Sequence, residues 1–335
     1  MTLLIILLTM LLTLQVTRFL NELNKYEKKK PFVIVFHGNC IDGGFSNYIA
    51  STGLIKMGFT IALQIPYYHN MDNFTKHMDI IKDIYVMFID VTPLPDDYMR
   101  MRKANAIVCF IDHHPINSEN ESGKSQLELF TTDNCNYISV TDRSSCGTTL
   151  ACHVFNPYLL TNRLIYHINK FDNLFMEEKH TKSIAIYNRF HMNDVNFYEN
   201  ILGRPLTDII SEGEEFEKED QKKVNMFLVN SVKYQLDVCI AKKDVKVNIL
   251  ETLVDDELYA NSVSDEFYNT HSNEQTTIVI TRFYPVRGGT KFSFRSKETI
   301  VTANMMASLV GGGGHIHSSG YLCKDKINSY AELIK

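Results

Sequence analysis

The sequence lacks an excess of positive charge. It carries 34 lysines and arginines against 39 aspartates and glutamates, for a formal net charge of -5. A protein that binds duplex DNA without sequence preference needs a basic surface that shows in its composition, so stable duplex DNA binding is not expected. Paired Cys-x-x-Cys spacing is also missing, because the seven cysteines are odd in number and scattered. They indicate a reducing compartment rather than a disulfide framework.

The first segment lacks charge altogether until Arg18. Residues 3–16 are apolar on every helical face. An uncharged helix over residues 1–17 would be about 25 Å long, short of but near the thickness of a membrane's hydrocarbon core, and we place the anchor at residues 1–20. A cleaved signal peptide is the alternative, but the sequence has no basic stretch before this segment and no small-residue cleavage site after it. We therefore expect a hydrophobic anchor helix. The basic run at 28–30 places the rest of the chain on the cytosolic side of a membrane.

From residue 32 onward, short apolar runs alternate with helical patterns. The clearest runs are FVIVF (32–36), YVMFI (85–89) and AIVCFI (106–111). They predict an α/β domain with a parallel sheet covered on both faces, which we place at residues 32–212. A charged amphipathic stretch predicts a helical linker over 213–236. The remaining residues, 237–335, predict a smaller α/β domain.

Histidine and aspartate side chains recur where the apolar runs end. The segments are HGNCID (37–42), DVTP (90–93) and DHHP (112–115), followed downstream by HINKFD (167–172) and GGGGHIHSSGY (311–321). Because the carboxyl ends of parallel strands meet at one edge of a sheet, we expect the first three segments to converge there. In addition, SSCGTT (144–149) predicts a helix N-terminus whose free amides can hold an anion.

In this order, the segments resemble those of the DHH-family phosphoesterases with a DHHA1-type C-terminal domain, a group that includes RecJ-like exonucleases and nanoRNases. The likeness covers about residues 32–325. It implies a DHH metal-binding catalytic domain at 32–212 and a DHHA1 substrate-binding domain at 237–335. It also implies hydrolysis of a phosphoester in a nucleotide or short single-stranded oligonucleotide, by attack of water at phosphorus.

The resemblance assigns roles to individual residues. Asp90 would bridge two cations, and His114 and Asp112 would be the catalytic pair, with His114 facing the scissile phosphate and Asp112 supporting His113 or binding weakly. Mn²⁺ is the expected cofactor, with Mg²⁺ or Zn²⁺ as alternatives. The implied metal ligands are His37, Cys40, Asp42, Asp90, His113 and Asp172. The implied substrate-binding residues are Arg295, Gly312, Gly313, Gly314 and His315.

One position departs from the family pattern. The first motif usually has two aspartates separated by one residue, and Cys40 stands where the first of them is expected. Cysteine binds softer ions such as Zn²⁺, so the site holds either two ions or a single tight one. The alternative function is therefore a catalytically decayed, membrane-attached nucleotide-binding protein. A third hypothesis, a cysteine hydrolase that uses Cys146, rests on residue types alone. The sequence is also compatible with an oligomer.

Overall fold

A computed structural model of the chain forms two compact units, Met1–Gly213 and Glu214–Lys335. The structure describes residues 2–38, 40–68, 73–104, 106–114, 137–139, 145–173, 178–192, 196–240, 242–254, 259, 262–263, 266, 277–284, 288–296, 301–314 and 316–334. The boundary between the units lies inside a long helix. The domain limits expected from the sequence stay a prediction.

The first unit is built on a parallel sheet. Its described strands are β1 (Phe32–His37), β2 (Ile61–Tyr67), β3 (Tyr85–Ile89), β4 (Ile107–Asp112) and β5 (Tyr137–Ser139). They lie in the order β2-β1-β3-β4-β5, and each neighbouring pair is parallel. The predicted α/β class and parallel sheet are therefore confirmed for this unit.

The central strands are buried on both faces. Val33 and Phe88 belong to one hydrophobic cluster, on one side of the sheet. Ile34 and Met87, which follow or precede them along the strands, are also 0% exposed. Successive side chains of a strand point to opposite faces, so a strand covered on both sides must be apolar at every position. This is why the strands appear in the sequence as unbroken apolar runs.

Helices connect and cover these strands. They are α1 (Thr2–Leu23), α2 (Ile41–Lys56), α3 (Met78–Ile81), α4 (Pro95–Lys103), α5 (Gly147–Phe155), α6 (Arg163–Asp172), α7 (Thr181–His191), α8 (Phe197–Ile201) and α9 (Leu206–Val229). Short 3₁₀ turns lie at Thr75–His77 and Pro157–Thr161.

The strand order reverses between β1 and β3. The chain passes from β1 to β2 on one side and places β3, β4 and β5 on the other. In an open parallel sheet, the connections on the two sides of such a point diverge and leave a crevice at the carboxyl ends of the strands. The segments that follow β1, β3 and β4 are therefore the ones that line this crevice.

The N-terminal helix α1 belongs to the first unit. Phe19 and Leu23 are 2% and 1% exposed, and the helix lies against β5 and α5. Within the part of the chain whose side chains are described, no helix is both long and apolar enough to cross a membrane. The anchor predicted for residues 1–20, and the cytosolic placement that followed from it, are not supported. An apolar run does not by itself distinguish a membrane span from a helix packed on protein.

The second unit is built on a mixed sheet. Its described strands are β6 (Val232–Ile240), β7 (Lys243–Leu253), β8 (Thr277–Phe283), β9 (Thr290–Arg295), β10 (Gly313–Gly314) and β11 (Ser318–Cys323). They lie in the order β10-β11-β9-β8-β7-β6, and the described neighbours are antiparallel except for β7 and β8. Helix α10 (Ala303–Ser308) and a 3₁₀ turn at Tyr330–Glu332 complete the described elements.

Helix α9 differs in extent from the linker predicted at 213–236. It begins earlier, at Leu206, and ends at Val229, so β6 already starts at Val232. The C-terminal part of the helix is anchored by apolar side chains. Val224 and Phe227 are buried in a cluster with residues of β7 and β8, which fixes this end of the helix in the second unit.

A buried carboxylate organises part of the second unit. Glu251, on β7, is 4% exposed, and Arg282 Nε donates a hydrogen bond to its Oε1 at 3.0 Å. The Tyr234 hydroxyl donates to Oε2, as does Ser329 Oγ at 3.1 Å. The backbone amide of Tyr330 adds a contact of 3.2 Å. Both oxygens of this carboxylate are therefore satisfied within the protein.

Candidate metal centre

Two histidines and an aspartate meet at the carboxyl edge of the parallel sheet, beside the point where the strand order reverses. His37 ends β1, Asp90 follows β3 and His113 follows β4. His37 Nδ1 lies 3.6 Å from Asp90 Oδ2, and His113 Nε2 lies 3.2 Å from Asp90 Oδ1. Each oxygen of the Asp90 carboxylate therefore lies near a different histidine.

Two further carboxylates reach this cluster from helices. Asp42 lies in the first turn of α2, and Asp172 is the last residue of α6. Asp42 Oδ2 is 3.8 Å and Asp172 Oδ2 is 3.3 Å from His113 Nε2. The structure thus brings together five of the six residues that the resemblance implied as metal ligands.

The possible ligand atoms form three overlapping groups, and within each group they all lie within 4.8 Å of one another. The groups are His37, Cys40 and Asp90; Asp42, His113 and Asp172; and Asp90, Asp112, His113 and His114. Such proximity of nitrogen, sulfur and carboxylate donors is the arrangement that divalent cations require.

The Asp90 carboxylate is buried without an aligned hydrogen bond to any residue that the structure describes. Asp90 is 0% exposed, and neither of its side-chain oxygens nor His113 Nε2 has an aligned hydrogen-bond partner among the described residues. Its backbone has a φ of 55°, a left-handed conformation that the surrounding fold must maintain in a non-glycine residue. A buried carboxylate without partners is unfavourable unless a cation binds it. The donor set therefore fits a divalent cation.

Asp112 holds the ring of the second histidine. Its Oδ1 accepts hydrogen bonds from the backbone amides of His113 and His114, at 2.8 and 3.2 Å, and lies 2.7 Å from His114 Nδ1. The Thr92 hydroxyl donates to the other oxygen. The side chain of Asp112 thus contacts the His114 ring, whereas the resemblance implied a supporting role beside His113. Thr92 belongs to the DVTP segment, but no contact was predicted for it from the sequence.

The N-terminus of α5 binds Asp42. The amides of Gly147 and Thr148 donate to Asp42 Oδ2 and Oδ1, each at 2.7 Å. A Cβ atom on Gly147 would come within 2.5 Å of Asp90 Cβ, so a close approach requires glycine there. The helix start and its capacity to hold an anion were predicted from SSCGTT. That the anion is the Asp42 carboxylate was not, since 105 positions separate it from Gly147.

Crowding of negative charge determines the protonation of the cluster. Burial disfavours the imidazolium of His113, but the carboxylates of Asp90 and Asp172 outweigh it and raise the pKa of His113 to about 10. Burial also disfavours ionisation of Asp90, yet the two histidines beside it hold the pKa of Asp90 well below its ordinary value. Burial and the Asp90 charge raise the pKa of Asp172. Without a cation, a proton on His113 therefore supplies a counter-charge to these carboxylates.

The two cysteines near the cluster differ in position. Cys40 is half-buried and belongs to one of the donor groups. Cys146, at the start of α5, is 0% exposed, and burial raises the pKa of its thiol well above the ordinary value. A nucleophile must be accessible and at least partly ionised, so the geometry argues against a cysteine hydrolase built on Cys146.

The predicted substrate-binding residues lie in the second unit. Arg295 ends β9 and donates from Nη1 to the carbonyl of Phe294 at 3.2 Å. A Cβ on Gly312 would lie 2.4 Å from the carbonyl oxygen of Gly320, so close packing against β11 accounts for this glycine. Gly313 and Gly314 form β10, which pairs with β11. His315 lies outside the described residues, and the substrate-binding roles stay a prediction.

Comparison with known proteins identifies solved structures that have a similar fold. No protein-family model matches the chain, and no curated protein matches it. Among solved structures, the chain is similar to a DHH domain described as a member of a family of ribosomal proteins, with a TM-score of 0.64 and 14% identity over 98% of this chain and 91% of that one. The chain has the DHH-domain fold.

Two other solved structures extend the similarity. The exonuclease RecJ bound to manganese matches with a TM-score of 0.54 and 12% identity, over 96% of this chain and 92% of that one. An exopolyphosphatase-related protein from Bacteroides fragilis matches with a TM-score of 0.51 and 13% identity, over 96% of this chain and 94% of that one. The predicted resemblance to the DHH family is therefore confirmed at the level of the fold.

Proposed function

We propose that the protein is a metal-dependent phosphoesterase that hydrolyses nucleotides or short single-stranded oligonucleotides. The observation that carries this proposal is the Asp90 carboxylate, which is buried and has no aligned hydrogen bond to a described residue, with one oxygen near His37 and the other near His113. A carboxylate held in this way can bridge two cations. Structural aspartates, in contrast, are satisfied by the protein itself.

The charge balance of the cluster supports cation binding. Asp42, Asp90 and Asp172 bring three carboxylates close to one imidazole. Buried like charges repel one another, and a divalent cation offsets that repulsion more effectively than a single proton. Oxygen donors with some imidazole suit Mn²⁺, and less well Mg²⁺. We infer Mn²⁺ as the principal ion, in one or two copies.

The protein's own groups would orient the reaction. A bound divalent cation would lower the pKa of a water molecule bound to it and would neutralise charge on the phosphate. Burial disfavours the charged form of His114, but the Asp112 carboxylate outweighs it and raises the pKa of His114, which favours the imidazolium. A protonated His114 can donate a hydrogen bond to a phosphate oxygen, and its contact with Asp112 fixes the ring for that task.

The similar structures support hydrolysis at phosphorus, and RecJ supports a phosphoester substrate. RecJ is named as an exonuclease and is bound to manganese, and another similar protein is named as exopolyphosphatase-related. In the second unit, we propose that Arg295 binds a substrate phosphate through its planar guanidinium group. Gly312, Gly313, Gly314 and His315 would contribute amide and imidazole donors to the same substrate.

A second candidate is a protein that binds nucleotides without hydrolysing them. It is favoured by Cys40, which replaces a hard oxygen donor with sulfur in one donor group. It is also favoured by Asp42, since both of its side-chain oxygens already accept hydrogen bonds from α5. Nucleotide binding with no turnover would distinguish this candidate from the enzyme.

The test is a hydrolysis assay on the full chain, because α1 has buried side chains in the first unit. Short RNA, 3′-phosphoadenosine 5′-phosphate and cyclic dinucleotides would be offered with Mn²⁺, with Mg²⁺ and with EDTA. Hydrolysis in Mn²⁺ that EDTA abolishes is the expected result. Asp90→Asn, prepared in the same way, is the inactive comparison and controls for contaminating nucleases. Lys218→Ala, on the exposed surface of α9, controls for the effect of a substitution outside the site.

The proposal is rejected if the native protein hydrolyses no substrate at saturating Mn²⁺. It is also rejected if Asp90→Asn retains full turnover, because the activity would then not depend on the bridging carboxylate. Binding of a nucleotide by the inactive native protein would leave the second candidate standing.

A further inference from the structure

Two of the three donor groups differ in chemistry. One group consists of His37, Cys40 and Asp90, and its ligand atoms are a nitrogen, a sulfur and an oxygen within 4.8 Å of one another. We call it the sulfur-bearing group. The other, the oxygen-rich group, consists of Asp42, His113 and Asp172, within the same limit. The two groups differ in softness, which governs the metal that each one prefers.

Asp90 joins the groups through different atoms. Its Oδ2 lies 3.6 Å from His37 Nδ1, in the sulfur-bearing group. Its Oδ1 lies 3.2 Å from His113 Nε2, in the oxygen-rich group. Neither oxygen makes an aligned hydrogen bond to a described residue. The two groups can therefore be occupied by separate ions that share only one residue.

Cys40 occupies a position where sulfur is a poor choice for folding alone. It is the N-cap of α2, where the side-chain oxygen of Ser, Thr, Asp or Asn would accept hydrogen bonds from the free amides of the first turn. The Cys40 side chain makes no capping hydrogen bond. It is half-buried and lies with His37 and Asp90 instead. Helix capping thus does not explain the residue, whereas metal ligation does.

We propose that the protein binds two chemically different cations, a thiophilic ion such as Zn²⁺ in the sulfur-bearing group and Mn²⁺ or Mg²⁺ in the oxygen-rich group. Thiolate and imidazole ligands select Zn²⁺, whereas carboxylates select the harder ions. Three protein ligands in the sulfur-bearing group also leave a coordination position for water or substrate, as in catalytic zinc sites. This inference deepens the proposed function and rests on its metal centre, but it adds a selective role for Cys40.

Cobalt reports directly on the sulfur ligand. Co²⁺ would be titrated into the metal-free full chain, and the near-ultraviolet thiolate-to-cobalt charge-transfer band would be recorded. We expect a band that saturates at one Co²⁺ per chain and is absent in Cys40→Ser. The control is Cys239→Ser, because Cys239 is an exposed cysteine on β6 and belongs to none of the donor groups. It should retain the band.

Calorimetry tests selectivity with Cys40→Asp, which replaces sulfur with oxygen. Zn²⁺ affinity at one of two binding events should fall about tenfold or more, since even groups that only orient a ligand change metal affinity by about ten- to a hundredfold. Mn²⁺ affinity at that event should rise. The second event should be unchanged, because the oxygen-rich group keeps all its donors.

The inference is overturned if the native protein binds two Co²⁺ without a thiolate band, or if Cys40→Ser retains the band. It is also overturned if Cys40→Asp has native affinity for both Zn²⁺ and Mn²⁺. The proposed function fails separately. A thiolate band with no hydrolysis of any substrate would reject the enzyme and keep the mixed metal site, whereas Mn²⁺-dependent hydrolysis without the band would do the reverse.

Discussion

Two buried carboxylates, one in each unit, have opposite surroundings. Glu251 is 4% exposed and accepts hydrogen bonds from Arg282, two hydroxyls and a backbone amide. Asp90 is 0% exposed and has no aligned hydrogen-bond partner among the described residues. Burial alone therefore does not separate a structural carboxylate from a functional one.

The difference lies in what completes each charge. Removing a carboxylate from water is unfavourable, and the protein must supply donors or a counter-ion. Around Glu251 the donors are part of the fold, so this carboxylate stabilises the second unit. Around Asp90 the nearest groups are other ligand-type side chains, and without a cation a proton on His113 offsets its charge. We expect a divalent cation to replace that proton. We expect the first to control stability and the second to control activity.

The largest effect on activity is expected from the substitution of Asp90, the carboxylate that lacks donors. Asp90→Ala removes the group that joins the two donor sets, so the rate of metal-dependent hydrolysis should fall at least about a thousandfold. The far-ultraviolet circular dichroism of the metal-free protein should not change. Saturation with Mn²⁺ at about a hundred times its Kd should stabilise the native protein by about 2.7 kcal/mol, but not the variant.

Calorimetric unfolding with and without Mn²⁺ measures both parts of this prediction. An Asp90→Ala protein that unfolds without metal would assign Asp90 to the same structural class as Glu251. Native turnover in a well-folded Asp90→Ala variant would remove Asp90 from the site.

The second largest effect, on stability, is expected from the substitution of Glu251. Glu251→Ala leaves Arg282, whose side chain is 12% exposed, without its carboxylate partner. An uncompensated buried charge destabilises a protein by about 3 kcal/mol or more. Urea unfolding should report this loss, while the affinity for Mn²⁺ in the folded variant stays at the native value. Lys218→Ala, which removes an exposed ion pair with Glu215, is the control and should leave the midpoint unchanged.

A smaller effect, on substrate binding, tests whether the second unit binds substrate while the first unit binds metal. Arg295→Ala should weaken substrate binding by about 1.5 to 3 kcal/mol, because charge-assisted hydrogen bonds to a phosphate are lost. Metal affinity should remain native. Equilibrium binding of a non-hydrolysable nucleotide and of Mn²⁺ to the same preparation gives both numbers. A loss of metal as large as that in Asp172→Ala would contradict the separate roles.

The smallest expected effect is the change of Mn²⁺ affinity with each unit of pH. The pKa of His113 is raised from 6.5 to about 10, so below pH 10 a cation must displace its proton. Mn²⁺ affinity should therefore rise with pH up to about 10, by about 1.4 kcal/mol per pH unit for each proton released. Calorimetry in two buffers of different ionisation enthalpy counts the protons. A constant affinity between about pH 7 and 9 would contradict the prediction.

The same pKa determines the stability of the metal-free protein. Because the folded pKa of His113 lies above 6.5, its stabilising contribution is complete below pH 6.5 and is lost as pH rises through about 10. The Tm of the metal-free protein should fall over this interval, and His113→Gln should remove most of the fall. Saturating Mn²⁺ should offset it.

Much of the site was predictable from the sequence. His37, Asp90 and His113 each stand at the end of an apolar run. Such a run predicts a parallel strand, because a strand covered on both faces is apolar at nearly every position. The convergence of these residues at one sheet edge then follows from topology. The membrane anchor at residues 1–20 was not supported. An apolar run shows that a helix needs an apolar environment, and the sequence does not say whether lipid or protein supplies it.

The contacts that hold the site were not predictable. Asp42 binds the amides of Gly147 and Thr148, and Asp112 binds the His114 ring rather than the His113 ring. The first contact joins positions more than a hundred residues apart, so no local pattern encodes it. The second depends on the side-chain geometry at the end of β4, which residue types alone leave open.

The sequence by itself determined which residues stand at the ends of the strands, because strand burial and side-chain alternation are local consequences of residue type. Only the tertiary structure decided which buried carboxylate remains available. Hydrogen bonding depends on donors that arrive from distant segments, as Ser329 does for Glu251 across 78 positions. Glu251 received such donors and became part of the core. Asp90 received other ligand-type groups, so a proton on His113 or, as we propose, a bound cation balances its charge.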